Sequence, residues 1–315
     1  MVHPKKYMIF PNSLKQGDRI AILSPSSPVK EEYIDRASEF FVSEGFEPVV
    51  MPFAKGPASG SYASTAEQRL DDFISAWEDD SIRAILCSRG GYGAVQLLRD
   101  IPVELLRQNP KWLIGYSDIS ALHAMLLNAG VASIHSPMAK HLSEEGTQDF
   151  CARSLMRILK GDFPLEYTVP THNYNLEGEA DGILAGGNLA VLNGLFGTDY
   201  DILLEGVILF IEDISEAIYA VERMLYHILL SGGFDKIKGL IIGRFTEYKA
   251  DKNFSSMEDM IKAFIEREGI SGIPVAFNFP VGHVRENYPL VEGATAKLAV
   301  TSDAVKLSMS NSITL

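Results

Sequence analysis

Short apolar runs rich in β-branched residues alternate with amphipathic stretches through the first half of the chain. Runs at residues 19–24, 47–51, 84–88, 112–116 and 132–135 predict strands. The stretches at 31–44 and 66–77, with apolar positions on one helical face, predict helices. Such alternation describes a parallel sheet covered on both faces. Ligands meet a sheet of this kind at the carboxyl ends of its strands, so chemistry is expected in the residues that follow each run. Three of those ends stand out: SPSSP after the first, SRGGYG after the third and GYSDIS after the fourth.

Residues 161–178 carry scattered Pro, Thr, Asn and Gly without sustained periodicity, which reads as the crossing between two domains with a boundary near Pro164. At 315 residues the chain exceeds the size at which one core keeps growing, which also argues for two domains. Beyond the boundary come a Gly-rich turn with a helix (GGNLAVLNGLF), strands at 207–212 and 239–243, helices at 217–230 and 257–268, and strands at 296–300 and 304–308. The expected fold class is α/β: a flavodoxin/Rossmann-like parallel-sheet domain over 1–164 and a mixed α+β domain over 165–315.

Composition narrows the function. The net charge of -13 is spread along the chain with no Lys/Arg cluster, which speaks against nucleic acid as a partner. A carboxylate-bearing ligand would need a local basic group, and Arg89 and Arg285 lie beside the motifs below. The two cysteines, Cys87 in an apolar strand and Cys151 in a helical pattern, give no disulfide framework. No apolar stretch reaches membrane-spanning length and the N-terminal residues lack a signal-like apolar region, so the expected compartment is the cytoplasm.

Ser117 lies in a strand-turn-helix junction, where a sharp turn projects the hydroxyl above the sheet and frees the Asp118 N–H to face an oxyanion. The alternative is a Ser117 or Asp118 side chain capping the helix that follows. In the loop 88–93, adjacent glycines allow positive φ and outward-turned amides, which suit an oxyanion hole or a phosphate cradle equally, though the glycine spacing matches no phosphate-binding pattern; a plain tight turn before a helix fits as well. Glu212 ends five apolar residues, and with Asp213 it either caps the next helix or orients an imidazole. His283 falls in a Gly/Pro-bordered loop and is free to act as a base, whereas His123 and His227 sit in helical patterns; His135 and His141 are lesser candidates. No Cys/His pair has metal-ligand spacing, so neither a metal nor another cofactor is expected.

Taken together, IAILSPSSPV, LCSRGGYGA, WLIGYSDISALH, GGNLAVLNGLFGTDY, ILFIEDISEAIYAVERML, GLIIGRF and the late VGH resemble, in order and over nearly the whole chain, the LD-carboxypeptidase family. That family also holds the microcin C self-immunity peptidases. The resemblance implies a homodimeric serine peptidase with Ser117 as nucleophile, His283 as base and Glu212 orienting the base. It further implies oxyanion N–H groups from Gly91 and Asp118, and release of terminal D-Ala from muropeptide tetrapeptides in cell-wall recycling. Arg89 is the candidate partner for the substrate carboxylate.

The sequence departs from the family where Glu292 precedes Gly293, which bears on substrate preference. Residues 178–201 lack the long loop associated with the immunity peptidases, which favours a muropeptide. The rival from another class is a ligand-binding protein on a flavodoxin-like scaffold. A glutamine-amidotransferase-like enzyme fits less well, since its nucleophile is a cysteine and the elbow position holds serine.

Overall fold

The apolar runs of the first half become strands, and the amphipathic stretches between them pack as helices. In the computed structural model, which describes residues 8–311, the order is β1 (Arg19–Leu23), α1 (Glu31–Ser43), β2 (Glu47–Val50), α2 (Ala66–Glu78), β3 (Ile82–Cys87), α3 (Val103–Gln108), β4 (Trp112–Gly115), α4 (Ser120–Ala129), β5 (Ser133–His135), α5 (Ala139–Glu145) and α6 (Phe150–Leu159). These strands pair in parallel in the order β2-β1-β3-β4-β5. That is the flavodoxin-like order, whose switch point between β1 and β3 opens a ligand crevice at their carboxyl ends. Both faces of the sheet are covered, and Ile20, Ile22, Ile85, Leu86, Leu113 and Ile114 are wholly buried. Local signals set the helix starts: Thr65 and Gln68 form a reciprocal capping box on α2, and Asp149 caps α6.

The second half supplies β6 (Leu165–Pro170), β7 (Gly178–Asn188), α7 (Leu189–Asn193), β8 (Val207–Ile214), α8 (Ile218–Leu230), α9 (Gly233–Lys236), β9 (Gly239–Thr246), α10 (Met257–Arg267), β10 (Val275–Ala276), β11 (Leu290–Glu292), β12 (Thr295–Val300) and β13 (Ala304–Ser310). Seven of these strands form a mixed sheet in the order β10-β9-β8-β7-β12-β13-β6. Its β10 to β7 half is parallel and its β12, β13, β6 half antiparallel. One compact unit comprises the described part of Lys5–Phe163 with Arg285–Glu292; the other comprises Pro164–Val284 with the described part of Gly293–Leu315.

Three local expectations change. The stretch read as an aperiodic crossing contains β6, whose Leu165, Tyr167 and Val169 are buried in strict alternation; Pro170 is tolerated at the end of an edge strand. The loop around His283 gives way after seven residues to β11, which joins the first sheet antiparallel to β5, with Leu290 opposite His135. A three-residue edge strand is too short to show periodicity. The loop 88–93 leads into a single 3₁₀ turn, Ala94–Gln96, rather than an α-helix.

Candidate active site

Ser117 stands at the carboxyl end of β4. Tyr116 is extended, Ser117 has φ +66°, and Ser117–Ile119 forms one 3₁₀ turn leading into α4. A left-handed serine is uncommon, costs on the order of 1–3 kcal/mol and persists only where its surroundings enforce it. No side chain caps α4, whose N-cap is Ile119, so the capping alternative for Ser117 and Asp118 is not realised. Gly115 permits the turn, since a Cβ there would meet Ile119 at 3.0 Å and Cys87 at 3.2 Å.

The loop after β3 lies directly over this turn. A Cβ on Gly90 would fall 2.7 Å from the Ser117 Cβ, 2.9 Å from its Oγ and 3.1 Å from the Asp118 nitrogen. Gly91 has φ +107°, and Ser27 from the loop after β1 fixes both its neighbours: Ser27 N–H donates to the Gly90 carbonyl (3.1 Å) and the Ser27 hydroxyl accepts from Tyr92 N–H (3.2 Å). The buried Asp118 carboxylate ties the three strand ends together, accepting from the Ser26 hydroxyl (2.6 Å) and the Ala94 N–H (2.9 Å). Arg69, on α2, is buried. It donates to the carbonyls of Pro25, Ser64 and Gly93 and stacks on Tyr62, so its guanidinium braces the same loops. Its signal in the sequence was an ordinary Arg on a helix, indistinguishable from a solvated one.

Arg89 is exposed and donates to the Pro28 carbonyl at 2.8 Å, at the rim of the same loops. Arg285 lies apart, exposed and ion-paired with Glu145.

In the other unit, Glu212 lies inside β8 rather than at its end, wholly buried. His283 Nδ1–H donates to Glu212 Oε2 at 2.7 Å. The bond fixes the tautomer and leaves Nε2 as the acceptor. The ladder makes room for it: between the Ile211–Ile242 and Asp213–Phe245 pairs, one residue of β8, Glu212, faces two of β9. Such an irregularity re-aims side chains. Gly282 has φ +124°, and a Cβ there would meet Glu212 Oε2 at 2.8 Å; one on Gly243 would meet the Val281 carbonyl at 2.6 Å. Burial by itself would lower the His283 pKa, but the hydrogen bond and charge of Glu212, with Asp213 and Glu247 behind it, outweigh burial and hold it above 6.5.

Asp213 does not cap α8, as one reading of the sequence had it. It accepts from Asn188 Nδ2, Ala190 N–H and Ile214 N–H, each at 2.8 Å, and so serves the start of α7. Burial, reinforced by the Glu212 charge, pushes its pKa up to about 6.

Two other histidines, His123 and His135, are buried in the core of their unit. His123 is fully buried; Nε2–H donates to the Gly115 carbonyl (2.9 Å) and Nδ1 accepts from the Ser133 hydroxyl (2.8 Å). Burial lowers its pKa to about 4, so it stays neutral and props the end of β4. His135 is buried against Tyr116.

Residues 20–136 match the family model described as the LD-carboxypeptidase N-terminal domain, and 181–298 the model for its C-terminal domain. A relative from Synechocystis sp. is 35% identical over 300 residues, covering 94% of this chain and 95% of that protein. The murein tetrapeptide carboxypeptidase of Pseudomonas aeruginosa is 30% identical over 292 residues, covering 89% and 92%. Among solved structures, muramoyltetrapeptide carboxypeptidase from Oxalobacter formigenes superposes with a TM-score of 0.84 at 27% identity, covering 93% and 98%. An MccF-like protein from Bacillus anthracis has a TM-score of 0.84 at 24% identity, covering 96% and 99%, a likeness of fold.

Proposed function

The chain belongs to the LD-carboxypeptidase family and is a serine-type carboxypeptidase, and we propose that it releases the terminal D-Ala of muropeptide tetrapeptides in cytoplasmic peptidoglycan recycling. Membership sets aside the reading as a ligand-binding protein. The observation that carries the proposal is the Glu212–His283 hydrogen bond, which couples a buried carboxylate to an imidazole of defined tautomer.

In the proposed reaction Ser117 Oγ attacks the carbonyl carbon of the amide preceding D-Ala while His283 Nε2 takes its proton. The N–H groups of Gly91 and Asp118 hold the developing oxyanion, each contributing about 2.7–4 kcal/mol. His283 then protonates the departing amine, and a water deprotonated by the same nitrogen attacks the acyl-enzyme. Glu212 stabilises the imidazolium in both steps. Arg89, with one of its five donors engaged by Pro28, is the proposed partner of the free carboxylate. The proposed assembly is a homodimer.

A muropeptide is favoured over the immunity-type substrate because β7 runs directly into α7 at Asn188 and Leu189, with no long loop in 178–201. The test is D-Ala release from a purified tetrapeptide ending in D-Ala, comparing wild type with Ser117→Ala at matched folding. Release lost in the variant supports the reaction and its nucleophile. An inert wild type that cleaves a peptidyl nucleotide instead overturns the proposed substrate.

A further inference from the structure

Away from Ser117, the first unit holds a second convergence of reactive side chains. His141 on α5, Asp149 at the N-cap of α6 and Cys151 in its first turn bring Nε2, a carboxylate oxygen and Sγ within 4.8 Å of one another. We propose that His141, Asp149 and Cys151 form a site for one borderline divalent cation, zinc by preference, with its fourth position open to the adjoining pocket.

The donor set argues for that class of ion: imidazole, thiolate and carboxylate are the ligands zinc takes, whereas calcium and magnesium require oxygen. Distances agree. Bonds of about 2.0–2.3 Å in a tetrahedron place ligand atoms roughly 3.3–3.7 Å apart. His141 Nε2 and Asp149 Oδ2 are 2.9 Å apart, so seating an ion opens that contact slightly and draws the sulfur inward.

Charge agrees as well. The carboxylates of Asp149, Glu145 and Glu286 all stand close enough to Cys151 to act on its charge. Against these carboxylates stands Arg285, already paired with Glu145. Such a cluster of carboxylates attracts a cation. A pocket of about 240 Å³, lined by Asp149, Phe150, Cys151, Arg285, Glu286 and Tyr288, offers room for a water or another fourth ligand. On binding, the Cys151 S–H bond breaks and its proton leaves to solvent, the imidazole proton of His141 moves from Nε2 to Nδ1, and metal bonds form at Sγ and Nε2; no electron is transferred. Cys151 Sγ also lies 4.0 Å from the Arg285 carbonyl, so the ion would cross-link α5 and α6 beside the segment leading to β11. The site leaves no signature in the sequence because its ligands stand eight and two positions apart, unlike the paired spacings of common zinc motifs.

The test is Co²⁺ titration of the reduced, tag-free full chain. One equivalent should bind with a thiolate-to-cobalt charge-transfer band, release a proton and be displaced by Zn²⁺. Cys151→Ser should abolish the band and His141→Ala weaken binding at least tenfold, both with native circular dichroism, while Cys87→Ser changes neither. If Cys151→Ser does not fold, Asp149→Asn and His141→Ala carry the test. Absence of the band in wild type, its persistence in Cys151→Ser, or unchanged affinity in both other variants overturns the site. D-Ala release is not a readout, so failure here leaves the proposed reaction untouched.

Discussion

The serine region and the histidine region reach readiness by opposite means. Around Ser117 the devices are geometric: a left-handed residue at the strand end, glycines at 90, 91 and 115 that give clearance, and Asp118 and Arg69 binding three loops together. Around His283 they are electrostatic: a carboxylate wholly out of water, a second beside it, and an imidazole whose proton is held against the pull of burial. In the proposed mechanism the first region fixes where the nucleophile sits and the second when the base is charged. Substitutions in the first should therefore change turnover at every pH, and those in the second should change its pH dependence.

The largest effect expected is from Ser117→Ala, which should lower kcat by roughly 10⁴-fold or more with stability retained or raised, since it removes a hydroxyl but no core packing. Glu212→Gln should cost about 10³–10⁴-fold by removing the carboxylate that sets the tautomer. It should also move the acid limb of kcat/KM, expected in wild type above the ordinary imidazole value because Glu212 holds the His283 proton, to lower pH. A limb that stays in place would show that His283 is not the titrating base.

Gly90→Ala comes next, because its Cβ would lie 2.7 Å from the Ser117 Cβ. Displacing Ser117 by a fraction of an ångström should lower kcat on the order of 10²-fold with the pH profile unmoved. A shifted limb there would break the division between the two regions.

The smallest effect concerns stability alone. His123 is neutral when folded, with its pKa near 4, but takes a proton in the unfolded chain near 6.5. The unfolded state thus binds more protons between those values, so stability falls as pH drops from about 6.5 to 4, by on the order of 3 kcal/mol. Denaturant unfolding across that window should show this slope in wild type, and His123→Gln should flatten it.

The strand-and-helix alternation of the first half, the mixed character of the second and the chemical residue types at the strand ends were legible because each rests on local periodicity or on a few contiguous residues. Strand β6 was lost among prolines and threonines, and β11 was too short to show a period. Glu212 could be read two ways, since an acid after five apolar residues looks the same whether it caps a helix or meets an imidazole seventy-one positions away. Arg69 on α2 and the His141, Asp149, Cys151 group carried no pattern, because their partners come from other segments.

By itself, then, the sequence determined most of the strands and helices, where the first sheet would present its loops, and that Ser117, Glu212 and His283 were the residues to examine. Only the tertiary structure decided that Gly90 must be glycine to clear Ser117, that Glu212 gives its oxygen to His283 while Asp213 turns to α7, and that Arg69 and Asp118 lock the loops over β4. Periodicity and propensity are short-range properties written along the chain. Clearance, burial and the pairing of charges depend on atoms brought together from distant positions, and exist only once the sheets have formed.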